Sequence, residues 1–341
     1  MTAVVAGSGL STVGAGIGKA ADVSARAVEA VGGGAAQAVS DVVETVGTLG
    51  RNGLDRAAEA AGRAAGVGSA LRFVLHWLAT VVSGAFELFA TAVQAIVDLA
   101  VGLVAGIIRL VVGGIGGLLA WDGKLALRGL GDLASNLAGS VVLLAGKALA
   151  LAQALLFMQR GERALTSSER EMLKPVFRRS VALYNVRLVE GFAGLFSVNS
   201  RPFTLGNTIY MKDYNPATNL ETLVHECTHV WQFQNVGVRY ATDALWAQAT
   251  IAGQGEYVWE DEPARGNTRW EDFNREAQAA LVEDIWQLGA GPATGSGAFY
   301  TDHPIGAGVT FTKAGVDHTA LAVQCANRLR GATVWRLSAL I

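Results

Sequence analysis

Between residues 76 and 109 the chain carries a narrow polar stripe on an otherwise apolar helical pattern. His76, Thr80, Ser83, Glu87, Thr91, Gln94, Asp98 and Arg109 follow one another at spacings of three, four or eleven, and nearly every residue between them is apolar. Eleven residues complete just over three helical turns, so Glu87, Asp98 and Arg109 fall nearly on one line. The remaining circumference is hydrophobic, which a solvated surface helix does not tolerate. The glycine-rich run "VVGGIGGLLAWDGK" offers a turn, and residues 124–157 continue as a second apolar helix. The expectation is a hydrophobic helical hairpin.

Two uses of such a hairpin are open. In a soluble bundle its helices bury their wide apolar faces against one another. In a membrane-active hairpin they insert, or lie in the interface, and residues 71–157 then meet membrane lipid or a partner in a secretion apparatus. Residues 99–121 are long enough to cross a bilayer but hold Arg109 at their centre, and residues 134–157 hold Lys147. A central charge costs about 2.5–3.5 kcal/mol on insertion scales, so neither is a clean constitutive transmembrane helix. Gly102 and Gly106 permit close helix packing in either setting. Residues 1–70 read as short amphipathic segments, "ADVSARAVEAV" and "LDRAAEAAGRAAG", separated by glycine runs.

The rest of the chain has different chemistry. All six prolines fall at or after Pro175 and all six tyrosines at or after Tyr184, whereas the first 160 residues are mostly Ala, Gly, Val and Leu. The shift marks a boundary near "MQRGERALTSSER", residues 158–170. Three parts are therefore expected: 1–70, 71–160 and 161–341. With 27 basic and 29 acidic residues and no basic run, the chain has no footprint for nucleic acid. Its two cysteines, Cys227 and Cys325, are too few for a disulfide framework and read as free thiols of a reducing compartment. The N-terminal stretch has no Lys or Arg before Lys19, so no Sec signal is expected. Synthesis in the cytoplasm is expected, followed by membrane association or by export that uses no Sec signal.

The chemistry concentrates in "LVHECTHVWQFQ", residues 223–234, which holds His225, Glu226 and His229. Upstream, Thr218 and Glu221 have capping-box spacing, and Gly237 offers a C-terminal stop. Leu220, Leu223, Cys227, Val230 and Gln234 mark an inward face. His225 and His229 then stand one turn apart, close enough to reach one Zn²⁺ ion. Glu226 projects beside them, where a carboxylate can take a proton from water.

A third ligand has five downstream candidates: Asp243, Glu256, Glu276, Glu283 and His303. The helix pattern "RWEDFNREAQAALVEDIWQL" is the best of their settings, with Glu276 in its first turn flanked by the small Ala277 and Ala279. Glu283 reads as part of a solvated helix face, and Glu256, in "AGQGEYVWEDE", is the runner-up. A developing oxyanion needs a further donor, for which Tyr257, His303 and Tyr240 are candidates. "YNVRLVEG" and "FTLGNTIYMKD" alternate as strands, with a turn at Gly206-Asn207. They predict a small sheet whose edge can take an extended peptide.

"HECTHVWQFQ" followed by "FNREAQAALVEDIW" resembles the gluzincin arrangement, in which HExxH precedes a glutamate ligand on a later helix. More narrowly, residues 164–288 resemble the zinc-metallopeptidase core domain of bacterial contractile-injection-system and polymorphic-toxin proteins. "LTSSEREMLKPVF", "NVRLVEG", "FTLGNTIYM", "LVHECTHVWQFQ" and "NREAQA" occur in that family's order. The resemblance implies His225, His229 and Glu276 as zinc ligands and Glu226 as general base and acid, acting on a peptide or protein. It covers about a third of the chain. Cys227 stands where such motifs commonly carry an aliphatic residue. The expected fold is mainly α (α+β): a hydrophobic helical hairpin or bundle, then a zincin-like α+β domain with a small sheet. The competing expectation is a membrane-inserting or secretion-system structural protein with a structural zinc site or an inactive peptidase fold.

Overall fold

The computed structural model describes residues 2–63, 68–120, 124–159, 162–198, 201–212, 215, 218–301, 305 and 308–331. Three long helices open the chain: α1 (Thr2–Gly62), α2 (Gly68–Ala120) and α3 (Lys124–Leu155). They run antiparallel in one layer, with Gly32 against Val101, Gly47 against Phe86 and Gly102 against Asn136. α1 is continuous, contrary to the short segments expected over residues 1–70. A Cβ at Gly32 would stand 2.2 Å from Val101 Cγ2, and one at Gly47 2.5 Å from Phe86 Cβ. These glycines let α2 approach, and packing against it overrides their weak helix propensity. Of the glycine-rich run at residues 111–124, residues 111–120 continue α2, and residues 121–123, where the turn is expected before α3, lie outside the described residues.

The layer is polar on one face and apolar on the other. Over residues 31–50 of α1, Gln37, Ser40, Asp41, Glu44, Thr45 and Thr48 are all buried. Over 77–111 of α2 the buried polar residues are Thr80, Ser83, Glu87, Thr91, Gln94, Asp98 and Arg109. Over 133–155 of α3, Asn136, Ser140, Lys147 and Gln153 are buried. Among the described side chains, every exposed residue in these three spans is apolar or glycine. Successive helical residues are 100° apart, which sets Phe89, Ile96 and Leu103 opposite Glu87, Gln94 and Asp98.

The polar face is covered by the rest of the chain. A four-stranded sheet has the order β1-β2-β4-β3, built from β1 (Arg163–Ala164), β2 (Arg187–Glu190), β3 (Phe203–Leu205) and β4 (Thr208–Met211). β2 and β4 are parallel, while β3 and β4 form the expected hairpin with Gly206 at φ +65°. β3 is an edge strand. Around the sheet lie α4 (Ser167–Phe177), α5 (Leu220–Val236), α6 (Arg239–Thr250), α7 (Arg275–Leu288) and α8 (Thr319–Gly331), and a two-residue hairpin pairs β5 (Thr312–Lys313) with β6 (Val316–Asp317).

α5 is buried on every side from Leu223 to Gln234, so it has no solvated face to set against the inward one. Asn219, not Thr218, caps α5, without a side-chain hydrogen bond. The reciprocal capping box instead starts α4, between Thr166 and Glu169. Gly237 does end α5, at φ +85°.

Stripe residues make the junction. Thr208 Oγ1 donates to Glu87 Oε2 at 2.8 Å, and Lys147 Nζ reaches both groups. Asp98 Oδ2 accepts the Val238 N–H at 3.0 Å, Asp41 accepts from Asn185 at 3.1 Å, and Glu44 accepts from Asn207. A Cβ at Gly139 would stand 2.4 Å from the Val238 carbonyl oxygen, so α3 touches the α5–α6 corner directly.

Candidate metal centre

His225 and His229 lie in the buried middle of α5, their ring centroids 5.1 Å apart. α7 crosses them at its N-terminus. Asn274 caps that helix, its Oδ1 accepting the N–H groups of Glu276 and Ala277 at 3.0 Å. Ala277 and Ala279 are fully buried, and α7 packs on α5 with Glu276 facing the histidines. Glu276 Oε2 lies 3.5 Å from His225 Nε2 and 3.3 Å from His229 Nε2. One ligand atom from each of the three residues lies within 4.8 Å of the others.

Each of the three is held from behind. His225 Nδ1 is 2.9 Å from Glu283 Oε2. His229 Nδ1 is 2.8 Å from Gln232 Oε1, whose amide nitrogen is committed to the Arg275 carbonyl and to Gln278 Oε1. Gln232 can therefore only accept, so His229 Nδ1 donates. In neutral His229 the lone pair then sits on Nε2, toward the cluster. Gln248 Nε2 donates to Glu276 Oε1 at 2.8 Å, leaving Oε2 to face the imidazoles. Such outer hydrogen bonds fix ligand orientation at metal sites.

Burial alone would lower both histidine pKa values. Hydrogen bonds with Glu276 and Glu283 outweigh it at His225, raising that pKa to about 10. At His229 the charge and hydrogen bond of Glu276 do the same. Burial raises the Glu276 carboxyl, but the histidines outweigh this and hold it well below the usual carboxylate range. Without metal, protons on the imidazoles balance the buried carboxylate. A divalent cation at the same point satisfies the same charge, so the donor set fits zinc.

Glu226 stands beside the cluster, 4% exposed. Its Oε2 accepts from Thr204 Oγ1 of the edge strand at 2.7 Å. Burial raises its pKa against the lowering influence of His229 and His225. Tyr257 lies over the site, its ring centroid 6.0 Å from that of His225, with Arg201 Nη1 donating to its hydroxyl at 3.4 Å. Burial and the Glu276 charge push its pKa up to about 12, so the hydroxyl keeps its proton at neutral pH.

Other candidates fall elsewhere. Asp243 pairs with Arg275 at 3.1 Å and accepts from Ser135 at 2.9 Å, tying α6 to α7 and α3. Glu256 is buried but outside the cluster. Tyr240 accepts the Gly206 N–H and donates to the Thr204 carbonyl, holding the β3–β4 turn. His303 lies outside the described residues. Cys227 is fully buried in the apolar core. Glu283 corrects its reading as a solvated face: two turns after Glu276 it shares that residue's side of α7, and the pair flanks His225. Gln232, Gln248 and Thr204 were not anticipated. Only Gln232 had a sequence signal, three residues after His229 on the same helix. Family models, curated proteins and solved structures were compared with the chain, and none matches.

Proposed function

We propose that the chain is a zinc-dependent metallopeptidase in which His225, His229 and Glu276 hold the metal and Glu226 is the general base and acid. The observation that carries this is the convergence of three buried donors, each oriented by its own hydrogen-bond partner. Among the described residues the cluster offers three ligand atoms rather than four, which favours a catalytic site over a structural one. The resemblance of residues 164–288 to injection-system and toxin metallopeptidase domains supports the same reading, with an exported effector as the biological role.

Zinc at this site supplies a Lewis acid that polarises a peptide carbonyl and acidifies water. Glu226, its pKa raised by burial, takes a proton as the water oxygen attacks the carbonyl carbon. It delivers that proton to the amine as the C–N bond breaks. Tyr257 donates toward the developing oxyanion. β3, the edge strand beside Glu226, is where an extended substrate would lie, with the Thr204 carbonyl already held by Tyr240.

The test is metal analysis of the purified protein joined to Glu226→Gln. About one zinc per chain is expected, lost in His225→Ala and His229→Ala and strongly weakened in Glu276→Ala. Glu226→Gln should keep the metal and the melting temperature while hydrolysis of a peptide library falls by about 10²–10⁴-fold. Chelator-insensitive cleavage, equal in both proteins, would refute the assignment.

A further inference from the structure

We propose that the outer face of the α1–α3 layer seats on an anionic lipid bilayer, with the helices lying in the membrane plane. The inference is independent of the metal reading.

Two of the helices have the length and composition of membrane spans, at Gly68–Arg109 and Leu133–Leu155 with mean hydropathy 2.0 and 1.6. What distinguishes them is where their polar groups point. The stripe that would solvate a surface helix is turned inward, Glu87 and Asp98 onto the C-terminal half and Arg109 onto Asp22 and Glu29 of α1, and the apolar side faces out. Val39, Val42 and Val46 of α1, Phe89, Ile96 and Leu103 of α2, and Leu137 and Val141 of α3 are all exposed.

Antiparallel packing aligns the three spans. Twenty helical residues cover about 30 Å, and neighbouring axes stand about 10 Å apart, so the face measures roughly 900 Å². The largest apolar patch on a typical monomer is about 300–600 Å². A second protein copy would be a poor occupant. Protein interfaces carry about one hydrogen bond per 100–200 Å², and these spans expose no polar side chain among those described. Lipid tails need none.

The orientation follows from the opposite face. Asp41, Glu44, Glu87, Asp98 and Lys147 contact the sheet, α5 or their loops along the same levels of the helices. A spanning orientation would carry that half into the hydrocarbon, whereas an in-plane orientation leaves it in water. Lys19 stands exposed before the α1 span, and Arg56, Arg63 and Arg72 stand exposed after it, with Glu59 the exposed acid among them. This excess of cations at the margins suits anionic headgroups.

The test uses the full chain with phosphatidylcholine vesicles, with and without phosphatidylglycerol. Co-flotation with the anionic vesicles is expected, in zinc-loaded and metal-stripped protein alike. Phe89 is 59% and Ile96 67% exposed, so Phe89→Lys with Ile96→Lys should leave the lipid-free melting temperature unchanged and weaken binding roughly tenfold or more. Because Cys227 and Cys325 are buried, single surface cysteines at Phe89, Ile96 and Leu103 can carry a fluorophore for quenching by brominated lipids. These positions span ~21 Å of helix, so equal shallow depth supports the in-plane seat and a depth gradient overturns it. Failure to float overturns the proposal, as does a lipid-indifferent dimer that the double substitution dissociates.

Discussion

Glu283 holds His225 from behind: its carboxylate lies 2.9 Å from Nδ1 while Glu276, two turns earlier on the same helix, faces Nε2. One helix thus supplies both the carboxylate of the cluster and the group that orients one of its imidazoles. Glu283→Ala should lower zinc affinity about 10–100-fold without removing a ligand. Glu283→Gln, whose amide oxygen still accepts from Nδ1, should retain most of it. Competition against a chromophoric chelator measures both, and equal loss in the two variants would contradict an orienting role.

Lys147 and Glu87 form a buried ion pair completed by Thr208. Lys147→Met should cost about 3–5 kcal/mol, because it leaves Glu87 charged and unpaired in the junction. Adding Glu87→Leu should recover much of that loss. Urea unfolding of the single and double variants reads the difference, and an additive double variant would argue against the pairing.

The Glu44 carboxyl is pushed up to about 8 by burial and by the charge of Glu87, against the lowering influence of Lys147. Its folded pKa exceeds the unfolded one, so its stabilising share is complete below about pH 4.5. That share is lost as pH rises toward 8. Glu44→Gln should therefore flatten the decline of melting temperature between pH 5 and 9, and be the more stable protein at the alkaline end. A parallel decline in both proteins would place the titration elsewhere.

Gly139 and Gly131 lie on the same helix with opposite surroundings. A Cβ at Gly139 meets the Val238 backbone, while one at Gly131 meets nothing within 4 Å. Gly139→Ala should destabilise by about 1–3 kcal/mol through a forced backbone shift. Gly131→Ala should stabilise by up to about 1 kcal/mol through helix propensity. Thermal unfolding of the two variants side by side tests the close contact.

The histidine pair was legible in the sequence because its geometry is local. Residues four apart on a helix share a face whatever surrounds them, so His225 and His229 converge by periodicity alone. The mainly helical fold and the β3–β4 hairpin were legible for the same reason, from apolar spacing and the Gly206-Asn207 turn. Which of the five candidates stands against the histidines was decided by the tertiary structure: among the described residues, the packing of α7 on α5 brings the Glu276 carboxylate to both imidazoles. So was the direction of the polar stripe. Helical periodicity puts Glu87 and Asp98 on one side of α2 but cannot say what that side meets. Their partners, Thr208 and the Val238 N–H, lie more than 100 residues away, and a buried charge is stable only where such partners are brought to it by the fold.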